Sequence, residues 1–259
     1  MTDGNGKRTV LKTDKATIRF GGLIAVNELD MDVRHGEIYG LIGPNGAGKT
    51  TIFNLLTGVY EPTSGDINIA GTRVNGLKPY QISRLGVSRT FQNIRLFPSM
   101  TVLENVITAC HRHSRQNLTD AVFRLPRYHQ DENEHREFAL ELLQIFDLDK
   151  YKDEGGTSLP YGNQRRLEIV RALATRPQLL LLDEPAAGMN PSEQEDLTTL
   201  IKEVRDKFDL TIVLVEHNMR VVMGVCDRIQ VVDYGKSIAL GLPQAIKNDP
   251  KVIEAYLGD

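Results

Sequence analysis

A chain of 259 residues is long enough for one large core with an added subdomain. Its composition, 41% hydrophobic and 25% charged, is typical of a globular protein, and its net charge of −3 argues against a general affinity for nucleic acid, which requires a basic surface. The N-terminus lacks the apolar core of a signal peptide, and no stretch approaches the eighteen or so apolar residues of a membrane span. We therefore expect a cytosolic protein that reaches a membrane only through a partner.

The chain contains two cysteines, Cys110 and Cys226, which lie far apart in sequence. Neither belongs to a Cys-x-x-Cys pair, so the spacing indicates neither a metal site nor a disulfide framework. We expect both to be small buried residues of a protein from a reducing compartment.

Short apolar runs alternate with longer segments of helical periodicity, which is typical of an α/β protein with a mainly parallel sheet. The predicted strands fall at 16–20, 38–42, 67–69, 179–182, 210–215, 228–233 and 237–240. The second, fourth and fifth are continuously apolar, as expected for strands buried on both faces. The first and third belong to a separate antiparallel piece, and the last two form a hairpin around Tyr234-Gly235.

The segment from about 101 to 157 has a different character. Helical periodicity at 103–109 and 134–146, with no obvious strand, predicts an α-helical subdomain inserted into the α/β core. The densely charged stretch 124–136 is interpreted as a solvated face or a loop, because runs of charged residues usually lie at the solvent-exposed surface.

Residues 43–50 match the phosphate-binding pattern GxxxxGK[ST], between a predicted strand and a helix-like segment that starts at Thr51. The glycines let backbone N–H groups point inward, toward the β- and γ-phosphates of a nucleotide. Lys49 adds a positive charge, and the Thr50 hydroxyl is a candidate ligand of Mg²⁺. The candidate nucleotide-binding residues here are Gly43, Pro44, Asn45, Gly46, Ala47, Gly48, Lys49, Thr50 and Thr51.

Two further strands deliver polar side chains to the carboxyl edge of the sheet, where ligands of open α/β sheets bind. Asp183 and Glu184 follow one apolar run: Asp183 is a candidate Mg²⁺ ligand through water, and Glu184 a candidate base for the water that attacks the γ-phosphate. His217 follows another, where an imidazole can contact the γ-phosphate, although a lone histidine is more often structural. Gln92, just before the helical segment, has an amide that can ligate Mg²⁺ or water. The other histidines receive no role.

The phosphate loop, Gln92, the glycine-containing segment 159–165, Asp183-Glu184 and His217 occur in an order that resembles the ABC transporter ATPase family, over essentially the whole chain. The resemblance implies an α/β fold: a P-loop NTPase (RecA-like) core with a mainly parallel sheet, an antiparallel β subdomain and an inserted α-helical subdomain. Residues 1–259 would form a single ATPase domain. It also implies ATP and Mg²⁺ as cofactors, with adenine stacked on Phe20.

The family's signature motif precedes the Asp-Glu pair by about twenty residues. Its matching residues here are Leu159, Pro160, Tyr161, Gly162, Asn163 and Gln164. In the family, this helix N-terminus closes over the nucleotide bound to the opposite subunit, where free N–H groups and a positive dipole face the γ-phosphate. The resemblance thus implies a head-to-tail pair of subunits that sandwich two ATP molecules and drive a membrane partner.

Two departures from the general family pattern are informative. Pro160 stands where the signature usually has serine, and Asn190 stands where an aspartate is usual. Both look familiar from the ATPases of branched-chain amino-acid importers, to which segments 159–173, 184–191 and 252–258 are similar. This branch implies a second, different ATPase subunit, two integral membrane permease subunits, an indirect contact with a periplasmic or extracellular binding protein, and a place at the cytoplasmic face of the membrane. A homodimer stays possible.

Other readings concern the cargo or the class of protein. Related ATPases of the same family serve lipopolysaccharide export or the uptake of urea or other amino acids, so these cargoes are alternatives. Cargo specificity lies in the other subunits of such transporters. A soluble ABC-type ATPase acting on DNA or ribosomes commonly has coiled coils, two cassettes or basic extensions, none of which is visible here. A P-loop kinase or GTPase fits poorly with Gln92, Gly162 and His217 in that order.

Overall fold

A computed structural model describes residues 8–113 and 126–257 and divides the chain into two compact units. One unit comprises residues up to 89 together with those from 178 onward, and the other comprises 90–177. The predicted insertion at about 101–157 falls within the second unit, and the single ATPase domain over 1–259 stays a prediction. Among the described residues, every helix is too short or too polar to cross a bilayer.

The strands all lie in the first unit. They are β1 (Thr9–Phe20), β2 (Leu23–Arg34), β3 (Ile38–Ile42), β4 (Ser64–Ile69), β5 (Thr72–Arg73), β6 (Val87–Arg89), β7 (Leu179–Asp183), β8 (Thr211–Val215), β9 (Arg228–Asp233) and β10 (Lys236–Gly241). A four-stranded antiparallel sheet has the order β2-β1-β4-β5, and a six-stranded sheet has the order β10-β9-β3-β8-β7-β6. In the second sheet only β10 pairs antiparallel.

The helices belong to both units. They are α1 (Lys49–Leu56), α2 (Pro79–Arg84), α3 (Val102–Cys110), α4 (Pro126–Ile145), α5 (Tyr161–Ala174), α6 (Pro191–Phe208), α7 (Met219–Val225), α8 (Pro243–Lys247) and α9 (Pro250–Leu257). Helices α3, α4 and α5 form the second unit with short 3₁₀ turns at His111–His113, Asp149–Tyr151 and Gly156–Ser158.

The core of the first unit joins both sheets and α1 into one apolar cluster. Tyr39 of β3, Phe53 of α1 and Leu11 of β1 are completely buried in it. Burial of a large apolar side chain stabilises a fold by roughly 1.5–3 kcal/mol, so this cluster fixes α1 firmly behind the loop that precedes it. The phosphate loop therefore stands on a rigid base.

The sequence predictions of secondary structure are largely confirmed. Every predicted strand lies within or closely overlaps an observed one, and the predicted hairpin turns at Tyr234 (φ 43°) and Gly235 (φ 74°), the two left-handed positions of a type I′ turn. Cys110 and Cys226 are both buried and unpaired.

The charged stretch 124–136 is helical from Pro126 onward, whereas 124 and 125 lie outside the described residues. Its side chains from 129 onward are mostly solvated, as interpreted from sequence, but His135 is buried. The described part of the charged stretch is therefore a mostly solvated helical segment rather than a loop.

A buried ion pair ties β6 to β7. Nη2 of Arg89 lies 2.8 Å from Oδ2 of Asp183, and Nη1 of Arg89 donates to Oδ1 of Asn54 on α1 at 2.7 Å. The Arg89 and Asp183 side chains are only 8% and 4% exposed. Because neither charge reaches bulk water, each depends on the other for compensation.

Replacement of Arg89 should therefore be costly. We expect Arg89→Ala to lower the free energy of unfolding by about 3–5 kcal/mol, because it removes the buried cation that lies 2.8 Å from the Asp183 carboxylate. Urea unfolding followed by circular dichroism measures the loss. The matched control is Arg73→Ala, which breaks an exposed ion pair with Asp66 of 2.7 Å and should cost about 0–1 kcal/mol. Equal losses in the two variants would contradict the assignment.

Candidate functional site

Three adjacent strands bring the first unit's predicted site residues to one edge. Strand β8 lies between β3 and β7 and runs parallel to both, with Val215 paired to Leu41 on one side and to Asp183 on the other. The segments that follow these strands carry the phosphate loop, Glu184 and His217. The parallel register thus gathers them at the carboxyl edge, as the sequence predicts.

Glycine is required at two points of the phosphate loop. Gly43 has φ 156°, and a Cβ there would lie 2.0 Å from the backbone oxygen of Val232. Gly48 has φ 102°, and a Cβ there would lie 2.7 Å from the backbone oxygen of Ala25. Because neighbouring backbone occupies both positions, a side chain at either glycine would deform the cradle.

Lys49 is buried within the loop that it follows. Its Nζ donates to the carbonyl oxygens of Gly43 at 2.7 Å and Pro44 at 2.8 Å. Burial lowers the pKa of Lys49, and the carboxylates of Glu184 and Asp183 oppose that shift. The ammonium is thereby held at the loop, in reach of a phosphate group. The neighbouring Thr50 is exposed in the first turn of α1, with Thr51 half-buried after it.

Asp183 and Glu184 differ sharply although they are consecutive. Asp183 is buried and paired with Arg89, whereas Glu184 has φ 49°, a left-handed conformation that is uncommon for a residue with a side chain. The Glu184 N–H donates to the carbonyl of Val215 at 2.9 Å, which holds this conformation in place. Such local strain is found at functional sites, where the surroundings impose it.

His217 lies next to Glu184. Its Nδ1 is 3.8 Å from Oε1 of Glu184, and the two side chains are 57% and 17% exposed respectively. The carboxylate is thus partly shielded while the imidazole faces solvent. This places a candidate base and a candidate γ-phosphate contact side by side.

Glu216 is a site residue to which the sequence interpretation gave no role. It is completely buried, and its Oε1 accepts from the N–H of Ala186 at 2.8 Å. Its Oε2 accepts from the N–H groups of His217 and Asn218 at 3.2 and 3.4 Å. Burial raises the pKa of Glu216, and these N–H donors oppose the shift. One carboxylate therefore fixes both the turn after Glu184 and the turn that carries His217.

The signature residues lie in the second unit, at the start of α5. Pro160 is the N-cap residue of this helix, without a side-chain cap hydrogen bond, and Leu159 before it is buried. Gln164 donates from Nε2 to the Leu159 carbonyl at 2.8 Å, while Tyr161 is 46% exposed. The remaining members of the predicted motif, Gly162 and Asn163, are partly buried. The N–H groups of the first turn have no intrahelical partners, so this end of the helix carries partial positive charge that can bind an anion.

Gln92 also lies in the second unit and is exposed. Arg165 of α5 is buried and donates to the backbone carbonyls of Phe91 and Gln92, the former at 2.8 Å. Glu168 accepts from the Phe91 N–H at 3.1 Å and lies 3.3 Å from Arg165. The Gln92 segment is therefore tethered to the signature helix by two buried charged side chains. The sequence interpretation missed both.

Phe20 ends β1 and is 45% exposed. Its ring meets that of Tyr60 edge to face, with centroids 5.2 Å apart. Tyr60, itself 37% exposed, was not predicted as part of a site. The pair offers an aromatic surface suited to stacking of a planar base.

The C-terminal helix α9 lies against the phosphate loop. Burial raises the pKa of Tyr256, and the nearby backbone of Gly43 opposes the shift, which places the Tyr256 hydroxyl beside the loop. A cavity of about 480 Å³ alongside is lined by loop residues 44–47, by Asp233 and Tyr234 of the hairpin, and by Lys251 and Glu254 of α9. The helix thus supports the loop on the side of the hairpin.

Loss of the Tyr256 hydroxyl should loosen that support. We expect Tyr256→Phe to weaken nucleotide binding by about two- to tenfold, because it removes a polar contact beside the Gly43 backbone that contributes roughly 0.5–1.5 kcal/mol net. Fluorescence titration with a labelled ATP analogue measures the affinity. Tyr234→Phe removes a hydroxyl from a side chain that is 86% exposed beside the same cavity and should leave the affinity unchanged. A wild-type affinity in Tyr256→Phe would refute the supporting role.

Comparison with known proteins agrees with this geometry. A family model described as ABC transporter matches residues 26–187, and one described as branched-chain amino acid ATP-binding cassette transporter matches 236–259. The high-affinity branched-chain amino acid transport ATP-binding protein BraF of Pseudomonas aeruginosa is 46% identical over 97% of this chain and 99% of its own. LivG of Escherichia coli, with the same descriptive name, is 46% identical over 96% of this chain and 98% of its own.

A solved structure is also similar. The ADP conformation of MJ1267, an ATP-binding cassette of an ABC transporter, has a TM-score of 0.84 at 29% identity and covers 97% of this chain and 100% of its own. The predicted α/β ATPase fold is thereby confirmed. The whole-length identity, the family model and the fold together show that the chain belongs to the ABC transporter family, as one of its ATP-binding, ATP-hydrolysing subunits.

Proposed function

We propose that this chain powers the uptake of branched-chain amino acids through separate membrane subunits. The observation that carries the ATPase role is the convergence of Lys49, Glu184 and His217 at one sheet edge. The cargo is supported by the names of the relatives that match nearly the whole chain and by the match of the C-terminal segment.

In the proposed reaction, the phosphate loop and Lys49 bind the β- and γ-phosphates of ATP, and Phe20 stacks on the adenine. Glu184 accepts a proton from the water that attacks the γ-phosphorus, because its carboxylate is partly shielded and fixed in direction. His217 contacts the γ-phosphate and responds to its loss.

Thr50 and Asp183 offer oxygen donors that suit Mg²⁺, which prefers hard oxygen ligands and keeps several waters. Thr50 would bind the ion directly, and Asp183 would act through water because its Oδ2 accepts from Arg89. The amide oxygen expected from Gln92 would come from the second unit. The bound ion would neutralise charge on the phosphates.

The proposed active form is a head-to-tail pair. Each ATP would lie between the phosphate loop of one subunit and the signature helix of the other, whose first-turn N–H groups would face the γ-phosphate. A different ATPase subunit is the expected partner, although a homodimer would satisfy the same geometry. Two permease subunits would hold the pair at the cytoplasmic face of the membrane, and a binding protein would act on it indirectly.

The decisive experiment purifies the tagged chain from membranes with its partner subunits and reconstitutes the complex in proteoliposomes. We expect ATP-dependent uptake of labelled leucine. Glu184→Gln should abolish hydrolysis and uptake and trap an ATP-bound pair, because the amide cannot accept the proton from water. Size-exclusion chromatography with labelled ATP detects the trapped pair.

The matched control is Glu195→Gln, which removes an exposed acid that pairs with the exposed Arg220 at 3.5 Å, so hydrolysis and uptake should be unchanged. Normal hydrolysis in Glu184→Gln would show that another group is the base. If the complex hydrolyses ATP but takes up no branched-chain amino acid, the proposed cargo is wrong and the ATPase role still holds.

A second expectation concerns Pro160. Proline offers no hydroxyl to the γ-phosphate that faces this signature, so the two composite sites of a hetero-pair should differ. Pro160→Ser should strengthen ATP binding or speed hydrolysis at the facing site by about two- to tenfold, for a net hydrogen bond of roughly 0.5–1.5 kcal/mol. Pro160→Ala is the control: it removes the proline ring without adding a hydroxyl, so it should not show this gain. Unchanged affinity and rate in Pro160→Ser would rule out the asymmetry.

A further inference from the structure

Three side chains with metal-binding groups meet in the second unit, away from the signature residues in sequence. His111 lies directly after α3, and Glu132 and His135 lie on α4. One ligand atom from each residue lies within 4.8 Å of the other two. Nε2 of His111 is 2.9 Å from Oε1 of Glu132, and the two imidazole rings meet edge to face with centroids 5.2 Å apart.

The spacing along the helix explains why these groups converge. Glu132 and His135 are three residues apart, so they share one face of α4. A Glu-x-x-His pair on a helix is an arrangement that supplies metal ligands in helical bundles. His111 adds a third ligand from another element, so an ion bound here would link the end of α3 to α4.

A second observation points to a ligand. His135 is only 5% exposed, and its Nδ1 has no hydrogen-bond partner among the residues that the structure describes. An ordinary ion pair between His111 and Glu132 would satisfy those two groups but would leave this nitrogen unpaired, which is costly in a buried position. A shared ion would give the buried histidine a partner.

The surrounding charge also favours a cation. Besides Glu132, the carboxylates of Asp131 and Glu134 lie close enough to His135 to interact with it electrostatically. Arg176 pairs with Glu134 at 3.4 Å rather than with Glu132, so the Glu132 carboxylate is left to His111 and to an ion.

We propose that His111, Glu132 and His135 bind one Zn²⁺ ion. Two imidazoles and one carboxylate form a ligand set that suits Zn²⁺, with water in the fourth position, whereas Mg²⁺ and Ca²⁺ prefer oxygen ligands throughout. Tetrahedral bonds of about 2.0–2.1 Å require ligand atoms about 3.3 Å apart, so rotation of the two partly exposed side chains closes the site. The ion joins two helices of the unit and is separate from the Mg²⁺ expected with ATP.

The test uses the full chain and the metal alone. Isothermal titration with Zn²⁺ should give one site per chain, and substitution by Co²⁺ should give the intense visible bands of tetrahedral coordination. His111→Gln and Glu132→Gln should each lower the Zn²⁺ affinity at least tenfold and remove those bands. His129→Gln, on the same helix but outside the three ligands, is the control and should bind like wild type.

Thermal unfolding of the same proteins supplies a second measurement. Zn²⁺ should raise the Tm of the wild type and of His129→Gln but not that of the two ligand variants, because an ion that binds only the folded state stabilises it. Both variants alter partly exposed positions, so they should fold in the absence of the metal. A wild type without saturable binding, ligand variants that bind normally, or an equal loss in His129→Gln would each overturn the proposal.

Discussion

Three charged side chains are buried at the carboxyl edge of the six-stranded sheet, and each is held by its own partners. Lys49 bonds to loop carbonyls, Asp183 pairs with Arg89, and Glu216 accepts three backbone N–H groups. Burial of a charge is costly without such compensation, so loss of one of these partners should strongly destabilise the fold. The same bonds fix the directions of the loops, which pre-organises the edge for a charged ligand.

The groups expected to take part in hydrolysis have the opposite character. Glu184 and His217 are partly exposed, and Glu184 holds a strained backbone conformation that Glu216 and Val215 restrain through hydrogen bonds to the adjoining turns. Their side chains thus stand on rigid supports and remain accessible. The buried charged groups would thus form a rigid phosphate-binding part of the site. The exposed Glu184 and His217 would form the part that responds when the γ-phosphate leaves.

The sequence predicts features that rest on local patterns. The phosphate loop and the buried strands are recognisable because glycine spacing and continuous apolar runs have local causes. Strand β2 was not predicted, since Asp30 and Asp32 alternate with the buried Leu29, Met31 and Val33 and hide the apolar face in an acidic stretch. Glu216 could have been found by asking why an acid directly follows a fully apolar strand. The Arg89–Asp183 ion pair and the approach of Tyr256 to Gly43 involve residues 94 and 213 positions apart in sequence, so no local pattern reveals them.

The signature helix α5 is coupled to the Gln92 segment through two buried charged side chains. Arg165 and Glu168 bind the backbone around Gln92 on one side and belong to α5 on the other, so the first turn of α5 and the Gln92 segment cannot shift independently without breaking buried charged contacts. A change at Gln92 on loss of phosphate would therefore be carried to the helix end that begins after Pro160. Because buried pairs hold one arrangement or break, this link favours a discrete change over a gradual one, as the proposed opening after hydrolysis would require.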